Sequence, residues 1–200
     1  FKAPFTNTKI PFIHVTPSWD NPDIRLQDDA TAPEAILEQF TLYYKWLFQA
    51  KPSIDPERHL DLLRATQIPD HIVAALDAPL NEKELVQAIH SMARGKSAGP
   101  DNLGSEFYHE FQDLILKDLL KMLTESEASG ALHPEVNSGD ISVLYKKGDH
   151  GEVRNYRPIT LLNCDYKIYA KVVGFRMRKA LDYFVSKNQL GFVPGRNISE

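Results

Sequence analysis

Lys146, Lys147 and Arg157 flank a turn punctuated by Gly148 and Gly151, and three cations placed this way suit one chemistry, the holding of phosphate oxygens. A lysine supplies a compact point charge, whereas the planar guanidinium of Arg157 can hold two oxygens at once. A fixed positive tip of this kind grips a phosphate chain without reading bases. Lys146 and Lys147 are equivalent at this level, and either one can be the solvated neighbour of the other.

The elements that must hold these cations can be read on both sides. Ile141-Ser142-Val143-Leu144-Tyr145 is an apolar, β-branched run that ends in the two lysines. A second run, Ile159-Thr160-Leu161-Leu162, starts from Asn155-Tyr156-Arg157-Pro158, and Pro158 stiffens the strand directly behind Arg157. The pattern predicts an antiparallel hairpin with strands at about 140–146 and 157–162.

Gly95-Lys96-Ser97 invites a phosphate-loop reading, which fails on two counts. The position five residues before Gly95 is His90 instead of glycine, and a helix precedes the segment where a strand is required. The better account is a helix end running into a Gly99-Pro100 turn, with Asp101 bonding nearby backbone amides. Asp101 reads as structural because no second carboxylate stands beside it in sequence. Seven histidines and the lone Cys164 show no metal-ligand spacing, so neither a metal site nor a disulfide is expected.

Helices are predicted at 33 onward, 56–65, 81–94, 105–126 and 165–184. The first opens at Pro33 and carries Ile36, Leu37, Phe40, Tyr43, Tyr44, Leu47 and Phe48 at helical spacing, which fits core packing better than a stacking platform for bases. The second long stripe is Phe107, Tyr108, Phe111, Leu114, Ile115, Leu119 and Met122. The last helix directs Tyr166, Tyr169, Val173, Leu181 and Phe184 inward. Asn81 with Glu84 forms a capping pattern, and Gly95 ends that helix. Residues 1–30 hold four prolines without periodicity and read as an extended arm. Residues 189–194 read as a short strand.

With 42% hydrophobic and 10% aromatic residues, the chain is globular. Its net charge of −4 conceals an asymmetry: residues 1–139 hold 12 Lys+Arg against 21 Asp+Glu, and residues 140–200 hold 11 against 6. Basic character is therefore concentrated around the hairpin and the helix after it, as expected if that part faces a polyanion. Lys171, Arg176, Arg178 and Lys179 read more simply as the solvated face of that helix. No apolar run reaches the roughly 20 residues that span a bilayer, so no membrane partner is expected. The single cysteine suits an intracellular compartment, nucleus or cytoplasm. A start at Phe1 and an end on Glu200 suggest a piece of a longer protein.

Gly95-Lys96-Ser97-Ala98-Gly99-Pro100-Asp101, Glu106-Phe107-Tyr108, the hairpin with Asn155-Tyr156-Arg157-Pro158, Asn163-Cys164-Asp165-Tyr166-Lys167 and Gln189-Leu190-Gly191-Phe192-Val193-Pro194-Gly195-Arg196 occur in this order. Together they resemble the fingers motifs of non-LTR (LINE-type) retrotransposon reverse transcriptases, over about residues 76–200. The resemblance implies an α+β, helix-rich fingers subdomain of a right-hand polymerase with a basic hairpin and an incomplete palm. Residues 1–75 would be an N-terminal extension with one or two helices. Lys146, Lys147 and Arg157 would touch the incoming nucleotide's triphosphate, while Lys96, Gln189 and Arg196 would lie along the template.

Gly99, Pro100, Asp101, Asn155, Tyr156, Pro158, Gly191 and Phe192 would be structural, with core packing an equal reading for Phe192. Asn102 stands where the family has glycine, a position asparagine tolerates at positive φ. The implied partners are an RNA template, a DNA primer and a deoxynucleoside triphosphate, with Mg²⁺ in the complete enzyme. The catalytic aspartates are expected beyond Glu200, so this chain binds no metal itself. The competing expectation is a catalytically inactive retroelement relic that at most binds nucleic acid.

Overall fold

The computed structural model describes residues 10–15, 29–49, 68–186, 188–191, 193, 195 and 196. In chain order the elements are β1 (Ile13–His14), β2 (Asp29–Ala30), α1 (Pro33–Leu47), α2 (Asp70–Leu76), α3 (Glu82–His90), α4 (Ser105–Glu110), α5 (Gln112–Ser129), β3 (Gly139–Tyr145), a 3-10 turn at Val153–Asn155, β4 (Tyr156–Leu162), α6 (Cys164–Arg178) and α7 (Leu181–Phe184). Helices beside two small sheets, β1-β2 and β3-β4, make this an α+β chain. Among the described residues no helix is long and apolar enough to cross a membrane.

Two compact units form, Phe1–Ile54 with Ile141–Thr160, and Asp55–Asp140 with Leu161–Glu200. In the first, α1 starts at Pro33, whose fixed φ and missing N–H suit a helix start. It buries Ile36, Gln39, Phe40 and Tyr44. Ile36, Phe40 and Tyr44 pack with Ile13, Ala30, Val153 and Tyr156. The rings of Phe40 and Tyr156 meet edge-on at 5.1 Å, and the Tyr44 hydroxyl donates to the Tyr156 carbonyl at 3.4 Å. Burial pushes the Tyr44 phenol up to about 12. Ile36, Phe40 and Tyr44 of the α1 stripe are thus core, but Leu37, Leu47 and Phe48 are exposed.

In the second unit, Leu85, Ala88 and Ile89 of α3, Tyr108 of α4, Leu119 and Leu123 of α5, and Cys164, Ile168 and Val172 of α6 form one core. Each fully buried Leu or Ile there contributes about 1.5–3 kcal/mol by leaving water. Asn81 caps α3 as expected, its Oδ1 accepting the Glu84 N–H at 3.2 Å. The helix ends at His90, however, and Gly95 follows in a bend at φ +69°.

The stretch predicted as one helix over 105–126 is two. It breaks at Phe111, with φ −105° and ψ 14°. Phe111 and Leu114 face outward, at 47% and 76% exposure, while Ile115, Leu119 and Met122 of the predicted stripe pack in or against the core. The predicted helix at 165–184 also divides, into α6 and α7. Its inward stripe is Cys164, Ile168 and Val172, and Phe184 is exposed. The helix Asp70–Leu76 has no counterpart in the sequence expectations. The helix expected at 56–65 lies outside the described residues. Residues 189–191 carry no strand.

Gly174 lies inside α6 with open space where a Cβ would project. Glycine there forgoes helix propensity without a packing reason. Gly174→Ala is therefore expected to stabilise the chain by about 0.5–1 kcal/mol, read as a rise in the urea midpoint. A fall would mean that the helix bends there for a reason that packing does not reveal.

Candidate nucleic-acid interface

The expected hairpin is present, as β3 and β4, and its long loop is braced from within. Lys146 N–H donates to the Asn155 carbonyl at 2.9 Å, which closes the ladder. Lys146 and Arg157, two residues beyond Asn155, therefore lie at the same end of the sheet. Asn155 Nδ2 donates to the Asp149 carbonyl at 2.9 Å. The Tyr145 hydroxyl reaches the Gly148 carbonyl at 2.7 Å, and the Tyr156 hydroxyl reaches that of His150 at 2.8 Å. The Tyr145 ring stacks on His150 at 3.8 Å.

Gly148 is needed at φ +103°. A Cβ there would also run into the Asn155 side chain. The side chains of Asn155 and Tyr156 thus brace this loop.

Lys146, Lys147 and Arg157 are exposed. Among the described residues no ion pair or side-chain hydrogen bond engages any of the three. Such a tip is preorganised: its backbone is ordered before a ligand arrives, so binding a phosphate there costs little further entropy.

In the second unit the loop after α3 is shaped as the sequence predicts. Asp101 Oδ1 accepts the Leu103 N–H at 2.9 Å, and Asn102 N–H donates to the Gly99 carbonyl at 3.0 Å. Asn102 takes φ +59°, the left-handed conformation that glycine would supply. Asn163, 5% exposed, fastens the loop. Its Oδ1 accepts the Asp101 N–H at 3.2 Å, and its Nδ2 donates to the Glu135 carbonyl at 3.0 Å. Sequence reading gave Asn163 no such role, and nothing local to it signals one, because both partners are distant in the chain.

Lys96 is exposed at the edge of a groove of about 480 Å³ whose lining also includes Met92, Tyr166, Lys167 and Lys171. Lys167 Nζ donates to the Ser97 carbonyl at 3.3 Å and Lys171 Nζ to that of Ser91 at 3.4 Å. Each ammonium has three donors, so both retain two for a ligand. Lys171 thus departs from the solvated-face expectation. The four-residue spacing of Lys167 and Lys171, one turn apart on α6, is the signal that could have found the pair.

Other expected contacts are placed differently. The Arg196 guanidinium donates to the carbonyls of Ser186 at 2.6 Å, Gln189 at 3.0 Å and Val185 at 3.3 Å, and its side chain is 16% exposed. It ties its own segment together. Gln189 Nε2 donates to the Gly191 carbonyl at 3.1 Å, a local turn. Phe192 lies outside the described residues. Arg176, assigned by sequence to a solvated face, is instead enclosed by Glu84 and by carbonyls of the α2–α3 connection.

Asp101 is not without a carboxylate neighbour. Burial pushes the Asp165 carboxyl up, and the charge of Asp101 adds to that shift. Both have local duties, since Asp165 Oδ1 accepts the Tyr166 N–H at 2.7 Å. The Cys164 thiol is buried and raised by that burial, so it is a core side chain and not an activated nucleophile.

No protein-family model matches the chain. It is similar to the Transposon TX1 uncharacterized 149 kDa protein of Xenopus laevis, with 35% identity over 167 residues. The match takes in 83% of this chain and 13% of that protein. The chain therefore spans about one-eighth of the length of the relative it matches.

Proposed function

We infer that this chain is the N-terminal extension (1–75) and the fingers with early palm (76–200) of a non-LTR reverse transcriptase, an RNA-directed DNA polymerase. Similarity to a transposon-encoded protein supports descent from a retroelement. The observation that carries the reading further is the braced hairpin, which exposes Lys146, Lys147 and Arg157 on an ordered loop. In this reading the three cations hold the triphosphate of the incoming nucleotide. Lys96, with Lys167 and Lys171 beside it, takes template phosphates. Gln189 lies along the template, and Arg196 keeps its segment in place for that contact.

Nucleotidyl transfer requires two Mg²⁺ ions held by closely spaced carboxylates. Asp101 and Asp165 do not fit that requirement, because no third ligand joins them among the described residues. No step of the transfer is assigned to residues of this chain; its part is to bind and orient.

Arg157→Ala in the polymerase that carries this segment is the deciding experiment. Hydrogen bonds to charged groups are worth about 1.5–3 kcal/mol, so kcat/KM for the nucleotide should fall by roughly tenfold or more. Unchanged kcat/KM would return Arg157 to a structural role. Polymerase activity absent from the wild-type protein, with RNA binding that weakens as salt rises, would favour a non-catalytic relic.

A further inference from the structure

We propose that His14, Asp149 and Glu152 form a site for a divalent transition cation of the zinc class, clipping β1 to the loop that carries the basic hairpin tip. The proposal stands apart from the nucleic-acid reading, since it needs none of the exposed cations. One ligand atom from each of the three side chains lies within 4.8 Å of the others. His14 Nε2 is 3.2 Å from Asp149 Oδ2. Ligands about 2 Å from a tetrahedral zinc are separated by about 3.3 Å, so this edge already has the spacing of a coordination polyhedron.

The opposite ring nitrogen decides what Nε2 offers. His14 Nδ1 is 2.7 Å from Asp29 Oδ1, and the two residues are cross-strand partners in the β1–β2 ladder. With Nδ1–H donated to Asp29, Nε2 turns a lone pair towards a carboxylate, an arrangement that requires a cation between them. A proton can serve, and so can a metal ion. A carboxylate behind the imidazole is also the arrangement that fixes tautomer and raises basicity in metal-bound histidines.

The Asp149 carboxylate is divided in the same way. Its Oδ1 accepts the Gly151 N–H at 2.8 Å, which aims Oδ2 at the histidine.

The backbone is built to bring these parts together. His14 N–H donates to the Gly151 carbonyl at 2.8 Å. A Cβ on Gly151 would sit 2.5 Å from His14 Nε2, so only glycine lets the ring lie beside the loop. Glu152 is the third ligand. Its side chain is 12% exposed and paired with Arg154 at 3.4 Å, while Arg154 itself is 52% exposed and free to turn into water. A bound cation takes over the neutralisation of Glu152 as Arg154 swings out. One imidazole with two carboxylates suits zinc or manganese better than calcium, which prefers six or more oxygens.

Zinc titrated calorimetrically into the EDTA-treated chain tests this. The expected result is one saturable site whose affinity falls by about tenfold or more in His14→Gln and in Asp149→Asn, with Mg²⁺ unable to replace Zn²⁺. Absence of saturable binding, or affinity unchanged in both variants, overturns the site. If either variant fails to fold, Mn²⁺ added to the unaltered chain decides. Selective broadening of the His14 ring resonances supports the assignment, whereas broadening at His90 or His109 with His14 left sharp defeats it.

Discussion

Replacing Arg176 by alanine is expected to lower stability by about 3 kcal/mol, with unfolding in urea at neutral pH as the measurement. Arg176 sits on α6 and reaches across to α3 and the connection before it. Its Nε and Nη2 donate to the two oxygens of Glu84, each at 2.7 Å. Its Nη groups also serve the carbonyls of Leu76 at 3.2 Å and Pro79 at 3.0 Å, and that of Ala78. The side chains of Arg176 and Glu84 are only 10% and 26% exposed. Truncation would leave a partly buried carboxylate and three carbonyls without their donor, which places the loss at the lower end of the range for broken buried pairs.

The same pair sets a pH dependence. Hydrogen bonds from Arg176 are the main cause holding the Glu84 carboxyl below its usual value of 4.5. A carboxyl lowered by folding takes up its proton first in the unfolded chain. Its stabilisation is therefore complete above 4.5 and is lost as pH falls through the lowered folded value. Glu84→Gln should flatten the stability profile in that window. A profile of unchanged slope, or an Arg176→Ala loss below about 0.5 kcal/mol, would mean that the pair is solvated and contributes little.

Gly99→Ala is expected to cost about 3 kcal/mol, the upper end for overpacking. A Cβ at this buried position would overlap the Asn163 side chain and backbone nitrogen and lie 2.5 Å from the Leu162 carbonyl carbon. Backbone cannot yield there cheaply, because Asn163 is fastened to Asp101 and Glu135 at once. Gly174→Ala supplies the internal comparison with the opposite sign. A Gly99→Ala variant as stable as the parent would show that the β4–α6 junction adapts, and with it that the 95–105 loop is not held by this contact.

The hairpin and the Asn81 cap were legible because their signals are local: a switch of period around glycines, and an asparagine three residues before a glutamate. The Asp101 turn was legible for the same reason, its side chain acting within two residues of itself, whereas positive φ at Asn102 was suggested only by the glycine of the resembled family. The break in the long helix was not. One residue, Phe111, leaves helical geometry, and although Ile115, Leu119 and Met122 after it still pack on the core, Leu114 of the same stripe is outside. No residue type at 111 announces that break.

The sequence by itself determined that this chain mixes helices with a basic hairpin, and that its cations cluster around the hairpin and the helix after it. Those properties follow from periodicity, turn chemistry and charge, which act between near neighbours. Only the tertiary structure decided which cations are available. It buried Arg176 against Glu84, folded Arg196 onto its own carbonyls, left Lys146, Lys147 and Arg157 facing water, and set Lys167 and Lys171 beside Lys96. It also brought His14 to Asp149 and Glu152 across more than a hundred residues. The physical reason is common to all of these. A charged side chain's partner is fixed by the packing of whole elements, and that packing depends on the joint burial of many apolar residues that no short stretch of sequence contains.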